Sequence, residues 1–382
     1  MDRVMTRRDF VLASAALAAM PSLAAGRDNF IWAALLHLGA NMWDDFELSP
    51  DQYAKSLEEE KTNPQPKGLT RKVAYHSYLR CDDAVFRKTC DVARKEGCNL
   101  VFIDLGEGLL YPSHPELAVP GTWSVEKMRN ELARLRAMGL EPVPKLNFSA
   151  THDAWLKEYH RMVSTRKYYE VVADVIRDAC EVFDHPRFFH IGYDEEHAAD
   201  QHNHYHVTAR QGDLWWHDVN YTIGQVEKNG AQAVIWADAV WYNKAVYVKR
   251  MSKNVLQQNW YYRSDFSEKA LAWKTEFEKT RKGWPEVLQG AAAFLALQEA
   301  GFKQLPCTSN WFEKDATEAL VKFCKERMDP SLMLGICTAT WAISIPTASI
   351  LDPGHEKGED HAIDGLIRFG AAKRKYWGDC LL

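Results

Sequence analysis

RFFHIGYDE, residues 187–195, carries an aromatic and aliphatic body that runs into two carboxylates. A strand covered on both faces reads as such an unbroken apolar run, and that coverage belongs to parallel sheets flanked by helices. Seven other short runs share the plan of an apolar body with a polar or tryptophan-bearing C-terminal end. They are FIWAALLHLG (30–39), LVFIDLG (100–106), EPVPKLNF (141–148), AVIWAD (233–238), VLQQNWY (255–261), QLPCTSN (304–310) and LMLGICTATW (332–341). Stretches with helical spacing of apolar residues lie between them, at 82–96, 124–138, 166–183, 212–228, 266–282, 315–327 and 360–376. Gly97 and Gly139 stand where the first two should stop. Eight strands alternating with helices predict an α/β fold, a (β/α)8 TIM barrel. No G-x-G-x-x-G follows an early strand, which argues against a dinucleotide-binding sheet. The polar, proline-bearing segment at about 44–80 is expected to be a long loop insertion after the first strand.

In a barrel the C-terminal strand ends form one face, where sites are built. Read to that end, the strands place Asn41, Trp43 and Asp44 after the first and Asp104 and Glu107 on the second. The third brings Lys145 and Asn147, then His152 and Asp153; the fourth brings Tyr193, Asp194, Glu195 and Glu196. Trp236 and Asp238 end the fifth, with Trp241 beyond. Asn259, Trp260 and Tyr261 end the sixth, Asn310 and Trp311 the seventh, Thr340 and Trp341 the eighth. Charged groups are costly to bury without partners, so their recurrence at one end of apolar strands marks a candidate site. His190 is expected to hydrogen-bond within the core. His202, His204 and His206 alternate in a polar loop without a fourth ligand at zinc-site spacing, so no metal and no cofactor is expected.

Nearly half of the 382 residues are apolar, which is enough for a large core, and the net charge is only -5 with both signs interspersed. That balance excludes the basic tracts of a nucleic-acid binder and the acidic tail of a disordered segment. Arg7 and Arg8 precede a mild apolar run from Phe10 to Met20, and small residues about Ser22 and Ala24 follow. This is the layout of a cleaved signal peptide, expected over 1–25, with the barrel domain over 26–382. The run is too short for a permanent membrane span. TRRDFV (6–11) resembles the twin-arginine export signature, which implies passage through that machinery as a folded protein to a periplasmic or extracellular location. The eight cysteines form no C-x-x-C pair and are expected to be mostly buried thiols.

FFHIGYDEEH (188–197) is similar to the H-x-G-G-D-E signature of glycoside hydrolase family 20, the β-N-acetylhexosaminidase type, at His190, Gly192, Asp194 and Glu195. The W-A-D of Trp236–Asp238 and the later strands ending in Trp agree with it. Tyr193 replaces the second glycine, Lys145 stands where an acidic residue is usual, and the family's Pro-Gly-His turn is missing, with His152 nearby. The resemblance implies a divergent relative that cleaves terminal sugars from a glycan. Glu195 would be the general acid, and Asp194 would orient the substrate's own 2-acetamido group as nucleophile. Asp104, Glu107, Lys145, Asn147, His152, Tyr193, Trp236, Asp238, Trp260, Tyr261, Asn310 and Trp341 would bind substrate. Two other readings stand beside it: a retaining glycosidase with Asp238 or Glu107 as nucleophile, and a non-catalytic barrel that binds glycans on its tryptophan face. Neighbours in a regular strand point to opposite faces, so both carboxylates reach one site only if the strand ends or bulges at Asp194.

Overall fold

The structure is a computed structural model that describes residues 30–42, 47–48, 55, 58, 75–197, 201, 207–208, 210–350 and 356–378. The proposed signal segment, Trp43, Asp44, His202, His204, His206, Cys380 and most of the 44–80 insertion lie outside the described residues. From Ile31 onward the chain forms one unit.

Eight parallel strands build the barrel: β1 Ile31–His37, β2 Leu100–Asp104, β3 Glu141–Lys145, β4 Phe188–His190, β5 Gln232–Trp236, β6 Leu256–Gln258, β7 Cys307–Thr308 and β8 Gly335–Ala339. They pair in the order β6-β5-β4-β3-β2-β1-β8-β7. Isolated bridges Gln257–Gln304 and Trp260–Cys307 join β6 to β7 and complete the ring. A short parallel pair, Glu47–Leu48 with Tyr75–His76, lies in the insertion after β1.

Pro142 and Pro144 sit inside β3, where a missing N–H would normally break a ladder. Residues 141 and 145 turn their backbone toward β2, since the Glu141 N–H donates to Asn99 and the Leu105 N–H to Lys145. The prolines therefore face β4, and there the pairing shrinks to Lys145 with His190.

The helices around the barrel are α1 Asp83–Lys95, α2 Val125–Ala137, α3 Arg166–Val182, α4 Asp213–Lys228, α5 Ala291–Glu299, α6 Ala316–Arg327 and α7 Glu359–Trp377, with shorter turns between. Asp82, Ser124 and Thr165 cap the first three through their side chains. In α3 the spacing of Val171, Val172, Val175, Ile176 and Ala179 buries one face against the sheet.

The expected helix over 266–282 is corrected by the structure. Two short helices, Glu268–Leu271 and Thr275–Thr280, are separated by an extended Ala272. The element that packs on the barrel there is α5, GAAAFLALQE from Gly290, entered through a π-turn at Glu286–Gly290. It is apolar nearly all round, so it carries no 3.6-residue alternation to reveal it. Cys90, Cys98, Cys180, Cys307, Cys324 and Cys337 are buried free thiols, and Cys81 is half-buried.

Candidate active site

The C-terminal end of the barrel interior has a polar floor. His37, Asp104, Lys145 and His190 sit side by side in register, so all four point to the same face. The Lys145 ammonium pairs with Asp104 in a fully buried ion pair, and His37 Nδ1 lies 3.5 Å from the same carboxylate. Burial pushes His37 down to about 4, against the pull of Asp104. Burial also holds His190 well below the usual histidine range. His190 Nδ1 accepts the Gly192 N–H at 3.0 Å, as a core histidine should. Trp236 packs on His190 at 4.6 Å between ring centroids. Trp341 lies 5.8 Å from Trp236 and 5.7 Å from His37.

Above this floor β4 stops at His190, and the chain leaves strand geometry. Gly192, Tyr193 and Glu195 take φ of 72°, 73° and 52°. These left-handed residues undo the alternation that would send Asp194 and Glu195 to opposite faces. Both carboxylates come to one histidine: His152 Nε2 lies 3.6 Å from Asp194 Oδ2 and 3.4 Å from Glu195 Oε2. The Asp194 side chain is 7% exposed and that of Glu195 35%, so one lies within the site and the other at its mouth.

Asn147 fixes the turn. Its Nδ2 donates to Asp194 at 2.7 Å, and its Oδ1 accepts the Tyr193 N–H at 3.1 Å and the Ser149 N–H at 3.0 Å. Gly192 is required here, because a Cβ would fall 2.0 Å from Asn147 Oδ1. The loop that carries His152 is tied to the same turn. Thr151 Oγ1 donates to the Glu195 carbonyl at 2.9 Å, and the Ala150 N–H donates to Glu196 at 3.0 Å. Glu196 is buried against Arg210, which forks onto its carboxylate and also reaches Asp218 and the Phe148 carbonyl.

Asp238 closes the other side. Its Oδ2 accepts the Glu195 N–H at 3.0 Å. Burial, reinforced by the Asp194 charge, pushes its carboxyl up to about 8. Aromatic rings wall the site. Trp241 packs edge-on against Trp260 at 4.5 Å, Trp260 stacks on Tyr262 at 5.0 Å, and Tyr262 meets Trp341 at 6.4 Å. Asp194 is among the charges that act on the Tyr262 hydroxyl.

The structure thus brings together Asp194, Glu195, His152, Asn147 and Asp238, with Trp236, Trp260 and Trp341 around them and the Asp104–Lys145 pair in the floor below. Four other predicted residues point elsewhere. Tyr193 is turned to α4, its hydroxyl 2.9 Å from Thr222 and its ring under the Arg210 guanidinium. Tyr261 faces outward onto Phe266 and donates to the Asp265 carbonyl, and its neighbour Tyr262 takes the inward position. Asn310 donates to α7, at the His361 carbonyl and Asp364. Glu107 is engaged by the Ala40 and Asn41 amides. Arg210 and Asp218 were not marked by the strand-end pattern, since they lie in and before α4. Among the described residues, only His152, Asp194 and Glu195 form a His/carboxylate group whose donor atoms, all within 4.8 Å, are close enough to share a cation.

No protein-family model and no curated protein matches the chain. Solved structures do. The barrel is similar to the family 20 catalytic modules of the pneumococcal exo-β-D-N-acetylglucosaminidase, at 12% identity and a TM-score of 0.51 over 91% of this chain and 85% of that one. It is similar also to a β-N-acetylhexosaminidase from Bacteroides fragilis, at 12% identity and a TM-score of 0.51 over 88% of this chain and 65% of that one. At these identities the likeness establishes the (β/α)8 fold.

Proposed function

We propose that the chain is an exported glycoside hydrolase of the β-N-acetylhexosaminidase type that removes a terminal N-acetylhexosamine from a glycan. The observation that carries this reading is the meeting of Asp194 and Glu195 on His152 Nε2, although the two carboxylates are sequence neighbours. Glycosidic cleavage needs an acid on the leaving oxygen and negative charge beside the oxocarbenium-like centre. Glu195 is the acid: it stands at the mouth, where the leaving group must be. Asp194 lies deeper, with one oxygen held by Asn147. It orients the substrate's 2-acetamido N–H and supports the positive charge that develops as the acetamido oxygen attacks the anomeric carbon. Trp236, Trp260 and Trp341 exclude water, which strengthens that electrostatic support. The likeness to family 20 barrels agrees with this assignment.

A conventional enzyme nucleophile is less suited to the site. Asp238 accepts a backbone N–H, and its raised pKa keeps it largely protonated at neutral pH. The Glu107 carboxylate is occupied by two backbone amides. Among the described residues no helix is long and apolar enough to cross a membrane. The twin-arginine motif carries the proposal of export.

Asp194→Asn is the deciding test. It keeps the size and removes the charge, so kcat should fall by about 2–4 kcal/mol of barrier with a smaller change in KM. A thiazoline analogue of the cyclised intermediate should bind the wild type tightly and the variant poorly. Full activity on sugars that lack a 2-acetamido group, or no inhibition by the thiazoline, would remove the substrate-assisted mechanism.

A further inference from the structure

The aromatic row does not end inside the site. Tyr262, which is buried, meets Phe312 at 6.4 Å with the rings tilted by 38°, and Phe312 is 49% exposed. Phe312 follows β7 at the barrel rim. Among the described residues it is the exposed large apolar side chain whose ring contacts this row. Its orientation is set from one side: the Arg263 guanidinium sits 5.0 Å over its ring, and Arg263 is in turn held by Glu286 and Glu313, each at 3.5 Å. Glu313 is anchored by the Ser264 amide and hydroxyl. A half-exposed phenyl ring fixed at the mouth of a site is a cost in water unless something covers it.

We propose that Phe312, backed by Arg263, is the platform for the sugar on the leaving-group side of the scissile bond. This rests on the hydrolase reading above, and it adds that the natural substrate is an oligosaccharide rather than a small glycoside. Three features select that occupant. Phe312 continues the row that begins at Trp260 and Tyr262 beside Asp194. Exposure rises outward along the row, as a path from a closed pocket to an open second position requires. The ring offers an apolar face for the C–H face of a pyranose, while Arg263 and Glu313 at its edge offer a donor and an acceptor for hydroxyls. Phe312 touches no reacting atom and acts on specificity.

The test is binding, in a Glu195→Gln background that prevents turnover. Calorimetry with N-acetylglucosamine and with its β-linked trisaccharide should give the trisaccharide an affinity about 10-fold higher, the size expected from burying half a phenyl ring. Adding Phe312→Ala should erase that gain and leave the monosaccharide and thiazoline affinities unchanged. Phe312→Tyr should restore it, and thermal unfolding should not move. An unchanged trisaccharide affinity in Phe312→Ala, an equal loss for mono- and trisaccharide, or no trisaccharide binding at all would overturn the platform. If trisaccharides without 2-acetamido groups bind as well and still show the Phe312-dependent gain, the platform stands and the hexosaminidase reading falls.

Discussion

Gly192→Ala isolates the joint on which the site turns. Gly192 has φ of 72°, where an alanine is strained, and the added Cβ would lie 2.0 Å from Asn147 Oδ1, 2.3 Å from its Cγ and 2.7 Å from its Cα. The last two leave no rotamer escape, so Asn147 must shift with its backbone. The left-handed strain costs about 1–2 kcal/mol, and overpacking about 1–3 kcal/mol. The Asn147 bonds to Tyr193, Ser149 and Asp194 weaken by roughly 1 kcal/mol in total if only partly lost. The sum is about 4 kcal/mol. With an unfolding entropy of about 2.1 cal/mol/K per residue over roughly 350 residues, the melting temperature should drop by about 5–6 °C. Because Asn147 holds Asp194, kcat/KM should fall further than stability accounts for, by at least ~10²-fold at a temperature where the variant is folded. Calorimetry and steady-state kinetics on Gly192→Ala and on Gly192→Ala with Asn147→Gly separate the effects. The second change removes the clash and should recover part of the melting temperature but none of the activity. A single variant that melts within ~1 °C of wild type with full activity would refute the account of this turn.

Three further outcomes follow from the same geometry. Glu195→Gln should lower turnover of poorly activated glycosides by at least ~10²-fold and spare substrates with excellent leaving groups; equal losses on both would argue against a proton donor. The Asp238 carboxyl is raised from 3.8 to about 8 in the folded chain, so its contribution to stability is full below about 4 and is lost as the pH rises toward 8. Asp238→Asn, which does not titrate, should therefore gain in melting temperature relative to wild type across that window, and a pH-independent difference would contradict the assignment. Replacing Arg7 and Arg8 by Lys should stop export, and undiminished accumulation outside the cytoplasm would exclude the twin-arginine route.

Much of the barrel was legible because its strands are uniformly apolar and polar residues recur at one end of each. Asp104, Lys145, Asn147, Asp194 and Asp238 stand out for that reason. Facing was harder to read. Tyr261 and Tyr262 follow a strand of three residues, and a period of two leaves the choice between neighbours to register, which pairing with β7 decides. Tyr193 reads as a site residue by adjacency to Asp194, but its own left-handed φ and the Arg210 ring contact carry it to α4. Arg210 could not be found by period, because its partners Glu196 and Asp218 belong to a loop and a helix and meet only in the folded chain. α5 was hidden by being apolar on every side.

The join between the first and last strands bears on when the protein can form. β1 pairs with β8 from Ile31 opposite Gly335 to Leu35 opposite Ala339, so the ring cannot close until nearly the whole chain has left the ribosome. Contacts so distant in sequence form late and slowly. The floor residues His37 and Trp341 come from these two strands, so the pocket is the last part to be completed. A chain dispatched in its finished shape would have to be held back through synthesis and ring closure, with its leader already exposed. That delay favours a route that accepts cargo only after folding over one that threads an unfolded chain as it is made.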